Sequence, residues 1–501
     1  MARTAEPLAR RRRRRAVRSF LFVRHLRHVR GRVWGLWPCW WVCCLSLCML
    51  PCRAARAQTP AHPTPLPYQS LRFEEDYRFL RDPAQRTDLW DPLKYLALRD
   101  TEAWYVSLGG EARLRYEYFN HSLWGQGPQD HDGYVLQRYM LHADVHLGPR
   151  VRLFTQLKSG LEEGRTGGPR PTDKDELDVH QVFVDVTIAT EPTVTLRMGR
   201  QELAFGSSRL VSVRESPNVR QSFDGLRALV RAGAWQVDGF VTLPVNTKRG
   251  MFDDDPDTQR LFWGLYVVHP LPLLPAGHID LYYLGLNREE ARFDQGSAHE
   301  VRHTLGLRLW GRPDPWDYNV EVVYQLGTFG AGQIQAWTAA SDTGYTLRTV
   351  PWQPRLGLKA DIISGDRNPR TQDLQTFNPL FPRGAYFGEI ALLGPANLID
   401  VHPSLELHPT PRLTVSVDWD VFWRESLHDG IYGNAVNLVR SGQRSRARSI
   451  GSQASVQAEW HVERHTTLTA VYSHFLAGPF LRETGPGRDV DYASAWVTYK
   501  F

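Results

Sequence analysis

Residues 104–119 read WYVSLGGEARLRYEYF, and this stretch decides the fold. Val106, Leu108, Ala112, Leu114, Tyr116 and Tyr118 share one parity, while Ser107, Glu111, Arg113, Arg115 and Glu117 share the other. A period of two is that of a β-strand, whose successive side chains point to opposite faces. One face is apolar and the other carries full charges, so the strand separates two unlike environments.

The same texture repeats outward along the chain. Tyr139, Leu141, Ala143, Val145 and Leu147 oppose Arg138, His142, Asp144 and His146, and Val182, Val184, Val186 and Ile188 oppose Gln181, Asp185 and Thr187. A soluble sandwich and a membrane barrel both satisfy such alternation. Three features favour the barrel. Brief turns such as Gly148-Pro149, Thr190-Glu191-Pro192 and Ala232-Gly233 alternate with long polar segments at 120–133, 160–177, 205–220, 245–258, 365–384 and 425–447, which is the asymmetry of outer-membrane barrels. Aromatic residues gather near strand ends, as in Tyr116, Tyr118 and Phe119 or Trp419, Phe422 and Trp423, where a ring suits a lipid–water boundary. Ala493, Ala495, Val497, Tyr499 and Phe501 fall on every second position up to the last residue. That terminal strand resembles the signal read by barrel-assembly machinery, with Tyr499 and Phe501 as its core. The texture predicts strands starting near 104, 134, 150, 178, 192, 221, 234, 259, 278, 300, 317, 333, 353, 398, 412, 448, 465 and 488. An antiparallel transmembrane barrel of about eighteen strands follows, wide enough for a water-filled lumen.

Composition agrees once it is divided by position. Lys+Arg number 60 and Asp+Glu 54, for a net charge of +6. Residues 1–57 hold fourteen basic residues and one acid, so the remainder is acidic at about −7. Cys39, Cys43, Cys44, Cys48 and Cys52 all lie in that leader, which excludes a disulfide framework, a cysteine-ligated metal or a catalytic thiol downstream. Arg10 to Arg15, the apolar run Val33 to Leu50 and Ala55-Arg56-Ala57 predict an export signal over 1–57, cleaved before Gln58. Residues 58–103 begin with the Pro-rich QTPAHPTPLPY linker and continue as a segment expected either in the periplasm, against an export partner, or inside the barrel as a partial plug. The barrel itself is expected over 104–501. Nothing in the acidic bulk points to nucleic acid.

Gly199-Arg200-Gln201-Glu202-Leu203, Gly206, Arg209-Leu210, Asn218, Arg220 and Phe223-Asp224-Gly225, with Leu108-Gly109-Gly110-Glu111-x-Arg113 upstream, form a set of motifs. This set resembles the alginate-export (AlgE-like) family of bacterial outer-membrane proteins. Arg302-His303-Thr304-Leu305-Gly306-x-Arg308, Ser364-Gly365-Asp366, the TFNPLFP run at 376–382 and Tyr386-Phe387-Gly388 extend it downstream. The resemblance covers roughly residues 70–501 and implies a monomeric eighteen-stranded barrel in outer-membrane lipid. In alginate-secreting relatives it implies arginines that favour an anionic polyuronate.

The lumen-facing candidates carry both signs: Arg113, Arg115, Arg138, Arg152 and Arg197 against Glu111, Glu117, Asp144 and Asp185. Converging arginines favour a hydrophilic anionic solute or polysaccharide; cross-strand pairing that only holds register is the plainer reading. Loops 205–220 and 365–384 are expected to fold inward and narrow the pore, or to stay on the surface. Arg200 raises a register conflict, because it shares parity with the apolar Leu196 and Met198. Either Gly199 forms a bulge, or Arg200 lies above the membrane in the following loop. His142, Asp144 and His146 share a strand face but are spaced too widely for one ion. No G-x-S-x-G, H-E-x-x-H or P-loop occurs. The expectation is a channel without cofactor or metal; the alternatives are a general porin and a barrel-embedded hydrolase.

Overall fold

The computed structural model describes residues 68–501. The leader, the proposed cleavage site and most of the Pro-rich linker lie outside the described residues. Eighteen long strands alternate in direction: β1 Trp104–Asn120, β2 Tyr134–Leu147, β3 Val151–Glu163, β4 Asp175–Thr190, β5 Thr193–Gln201, β6 Phe223–Ala232, β7 Trp235–Asn246, β8 Arg260–Pro270 and β9 Gly277–Phe293. They continue as β10 Gly296–Gly311, β11 Trp316–Phe329, β12 Gly332–Thr346, β13 Arg355–Ile363, β14 Leu398–Thr410, β15 Leu413–Trp423, β16 Ser449–His461, β17 Thr466–Ala477 and β18 Val490–Lys500. Each start lies within four residues of its expected position. Each strand pairs antiparallel with its sequence neighbours, and β1 also pairs with β18, with Glu111 opposite Lys500, so the sheet closes. A closed sheet leaves no unpaired edge, which is the condition for a strand protein in lipid.

Alternation sorts the side chains as the sequence requires. Leu114, Leu141, Ile188, Leu196, Met198 and Leu226 stand exposed on the outer face, and Arg113, His142, Asp185 and Arg197 are buried on the inner one. The expected aromatic boundary is only partly met. Tyr116 and Trp419 are on the exposed outside, whereas Phe119 and Phe422 point inward and are buried. Parity explains this, since Phe119 shares its face with Glu117, and Phe422 with Asp420.

The short-turn end is closed by connections such as Gly148–Arg150 and Glu191-Pro192, and the other end carries the long loops. The long loops span 121–133, 164–174, 202–222, 247–259, 364–397, 424–448 and 478–489. The last of these, with the short helix Pro479–Thr484, had no counterpart among the expected loops.

The lumen departs most from expectation, because its long-loop half is not water-filled. Leu203, Phe205, Leu210 and Val211 from loop 202–222 meet Phe377, Leu380, Phe381 and Phe387 from loop 364–397, and Ile431, Tyr432 and Val436 from loop 424–448. These pack against inward rings of the wall, among them Phe223, Phe240, Phe262, Phe422 and Phe475. Burying one such side chain is worth about 1.5–3 kcal/mol, so the loops form a core inside the barrel.

Candidate functional site

The core is stitched together by backbone pairing. Val211 bridges Phe381, with the Ser212 amide donating to the Phe381 carbonyl at 3.0 Å and the Phe381 amide to the Leu210 carbonyl at 2.8 Å. Asn397 Nδ2 donates to the carbonyls of Ser426 at 3.1 Å and Gly430 at 2.9 Å, joining the second loop to the third. Loops 205–220 and 365–384 therefore do fold inward.

Loop 202–222 rests on an arginine-rich wall. Arg113 donates to the carbonyls of Glu215, Ser216 and Pro217 at 3.1, 3.3 and 2.9 Å. Arg138 binds Glu111 Oε1 at 2.6 Å and also reaches the Glu215 carboxylate. Arg220 binds Glu202 at 2.7 Å and Glu215 Oε2 at 2.8 Å. Arg115 pairs with Glu117 at 2.7 Å and with Glu389 of loop 364–397 at 2.8 Å. Asn218 Nδ2 donates to the carbonyls of Gln137, Leu161 and Asp173 at 3.0, 3.1 and 2.8 Å, fastening the loop to β2 and β3. Glu111, Arg113, Arg115, Glu117 and Arg138 thus face inward as expected, but they are buried under the loop and hold it instead of lining open water.

Lower on the same wall, Arg152 binds Asp144 at 2.6 Å and Arg197 binds Asp185 at 2.7 Å. The N-terminal segment covers them. Phe73 packs against Phe154 and Phe183 at centroid distances of 6.0 and 5.4 Å, and the Arg197 guanidinium lies 4.3 Å over its ring. Arg152 donates to the Phe73 carbonyl at 2.5 Å and Arg220 to the Ser70 carbonyl at 2.9 Å. Residues 70–73 of this segment thus lie against inward-facing side chains of β3, β4 and β5.

The motif residues fall into three groups. Arg220 and Asn218 belong to the inward loop just described. Arg209 crosses the lumen to bind Asp361 at 2.9 Å, Glu321 at 3.3 Å and the Tyr386 hydroxyl at 2.7 Å, and Arg308 binds Asp280 at 2.8 Å. Asp366 is buried beside loop 424–448, its amide donating to Asp429 Oδ2 at 2.8 Å. Gln201 is fully buried on the inner face of β5.

Arg200 resolves its conflict without a bulge. Phe183, Gly199 and Gly225 pair in unbroken register across β4, β5 and β6. Gly199 has φ +127°, and a Cβ there would lie 2.2 Å from the Val182 carbonyl, so close backbone approach is what requires glycine. Arg200 remains on the outer parity, at the last turn of β5, and is shielded by Asp224 at 2.9 Å and the Asp254 carbonyl at 3.4 Å. It lies within the strand, one residue from its end, and not in the following loop.

The charge state of the loops follows from their surroundings. Enclosure raises the Glu215 carboxyl, but Arg138 and Arg220, with Lys500 and Arg113, outweigh it and hold the group well below the ordinary carboxylate range. Burial lifts Asp429 to about 6 despite bonds from Thr376 and Tyr432. Burial lowers Lys94, at the short-turn mouth, to about 7, helped by the neighbouring Arg72.

The family described as alginate export matches residues 104–495, which is most of the chain. The chain belongs to the alginate-export family. No curated protein sequence matches it. Among solved structures, this alginate-export barrel is similar to Pseudomonas aeruginosa OccK8 (OprE), with TM-score 0.55 and 10% identity over 79% of this chain and 98% of that one. P. aeruginosa OccK2 (OpdF) in complex with glucuronate gives 0.52 and 11%, covering 79% and 98%. P. aeruginosa OpdK with vanillate gives 0.52 and 12% over the same shares. At such identities the likeness is one of fold. Family and fold together make the chain an outer-membrane β-barrel of the channel type. Sequence reading missed Glu215 and Glu389; both lie in loops, their partners on the wall, Arg138 and Arg115, are more than seventy residues away, and no local pattern marks them.

Proposed function

We propose that this barrel passes a hydrophilic, carboxylate-bearing solute or polysaccharide across the outer membrane by passive diffusion. The observation that carries the reading is Glu215. Its carboxylate is held by Arg138 and Arg220 with Arg113 beside it, yet its side chain remains 46% exposed. The wall therefore already binds one part-exposed carboxylate, supplied by the chain itself. A guanidinium fork matches a carboxylate in geometry as well as in charge, and the low-dielectric wall around it strengthens the attraction. Two of the similar structures carry carboxylates, glucuronate and vanillate, which supports the same chemistry. Residues 1–57 enter this reading as the export signal that is removed.

Reversal potential in planar bilayers under a salt gradient tests it. Anion preference is expected, with block of the current by uronate oligomers and not by neutral sugars of equal length. Cation preference, or equal block by both, would sink the proposal in favour of a general porin.

A further inference from the structure

Two clusters among the described residues, one of three carboxylates and one of two carboxylates with a histidine, bring three donor groups within 4.8 Å of one another. In the first, Asp175, Asp178 and Asp254, the centre is taken by a built-in cation: Lys158 Nζ lies 2.7 Å from Asp175 and 2.8 Å from Asp254. In the second, Asp400 and His402 on β14 face Asp420 on β15, and no lysine or arginine forms an ion pair with any of them. Lys359 stands opposite His402 on β13 without an ion pair of its own among the described residues.

From the second cluster we infer a binding site for a divalent transition-metal ion, Zn²⁺ by donor chemistry, with Asp400, His402 and Asp420 as ligands. All three are buried, Asp420 completely. Asp400 Oδ1 has no hydrogen-bond or ion-pair partner, although an unpaired buried carboxylate oxygen is costly, and Asp420 Oδ1 touches only His402 Nδ1. The outer atoms of the set, by contrast, are held. His402 Nε2 faces Asp418 Oδ1 at 3.2 Å, and Gln453 Nε2 on β16 donates to Asp420 Oδ2 at 3.2 Å. Asp418 fixes one proton on Nε2, and Nδ1 contacts Asp420 Oδ1, so zinc bound here would take the place of the Nδ1 proton between His402 and Asp420. That arrangement orients metal-bound histidines. One imidazole and two carboxylates suit zinc better than calcium, and three protein ligands leave a fourth position for water. Entry is from the short-turn half of the lumen, past the part-exposed Asp418. The same Gln453 also donates to the Phe387 carbonyl at 2.7 Å, so the ion would sit directly beneath loop 364–397.

The test uses the full-length barrel, folded in detergent, stripped with a chelator and titrated with Zn²⁺ by calorimetry. One saturable site is expected, and Co²⁺ in its place should give visible d–d absorption from a nitrogen-containing ligand set. His402→Gln should abolish that band. Asp418→Asn should weaken zinc by about 10- to 100-fold, the loss typical of a group that orients a ligand. Asp175→Asn, in the cluster already filled by Lys158, should change nothing. Resistance of each variant to unfolding on an unheated gel shows that its barrel is closed. Should His402→Gln not fold, the wild-type titration still decides: no saturable zinc site, or a cobalt spectrum like that of the hydrated ion, overturns the inference. Equal retention by wild type and His402→Gln overturns it too.

Discussion

On β1 to β5 the inward face carries Arg113, Arg115, Arg138, Arg152 and Arg197, and each meets a carboxylate or a row of loop carbonyls. On β13 to β16 the inward face carries Asp361, Asp400, Glu406, Asp418 and Asp420, with Arg355 and Lys359 as the permanent cations of those strands. Both walls obey the same two-residue alternation, so polarity of a strand face says nothing about its sign. The two walls set up a field across the lumen instead of along it. An anion is drawn to the first wall and a metal ion to the second, which is why one barrel supports both proposals.

The largest effect is expected from removing what separates the walls. Deleting 367–380 takes Leu374, Phe377 and Asn378 out of the lumen core and uncovers the acidic side. Single-channel conductance in bilayers should rise severalfold and anion preference should fall. Unchanged conductance would mean that the passage avoids this loop. The second effect concerns how the charges are held. Arg138→Ala leaves Glu111 buried without its partner and should cost about 3–5 kcal/mol. Arg355→Ala, which breaks a partly exposed pair with Asp317, should cost about 1 kcal/mol or less. Urea unfolding measures both, and equal losses would erase the distinction between a sealed ion pair on the basic wall and a part-exposed one on the acidic side.

The smallest effect tests a cation of the basic side that lacks a hydrogen-bond partner. Lys94 Nζ is buried against the rings of Tyr68, Tyr77 and Phe501, with Arg72, Glu75, Asp91 and Arg464 as its charged neighbours. Its docked pKa is about 7 against about 10.5 free, so between those values the undocked segment binds more protons. Docking of residues 68–95 should therefore strengthen as pH rises from 7 toward 10 and be weakest below 7. Limited proteolysis of the segment at pH 6 and pH 9 reads this directly, and equal cleavage would refute it.

Strand positions and faces were legible in the sequence because alternation is local. Height along the barrel was not. Register across the β14–β15 hairpin shows why. Thr410 pairs with Leu413, but a shift between Leu407 and Thr410 moves every later pair by one residue. Without that shift His402 would face Val421, on the apolar parity; with it, His402 faces Asp420. The inward loops were hidden differently, since Phe377, Leu380 and Phe381 stand in a polar-looking segment and find their partners on loop 202–222.

Arg72 donates to the Gly110 carbonyl on β1 at 3.0 Å and to the Phe501 carbonyl beyond β18 at 2.8 Å, while Trp90 stacks on Phe501 at 4.3 Å and donates to the Tyr499 hydroxyl at 2.7 Å. The N-terminal segment is thus fastened across the one strand pair whose members come from opposite ends of the barrel sequence. Joining such distant strands is the slow event in forming the sheet, because the loop-closure entropy is lost before the contacts form. A clasp that needs both strands in place belongs after that event. Its contribution falls on the rate at which the barrel opens, not on the rate at which it closes.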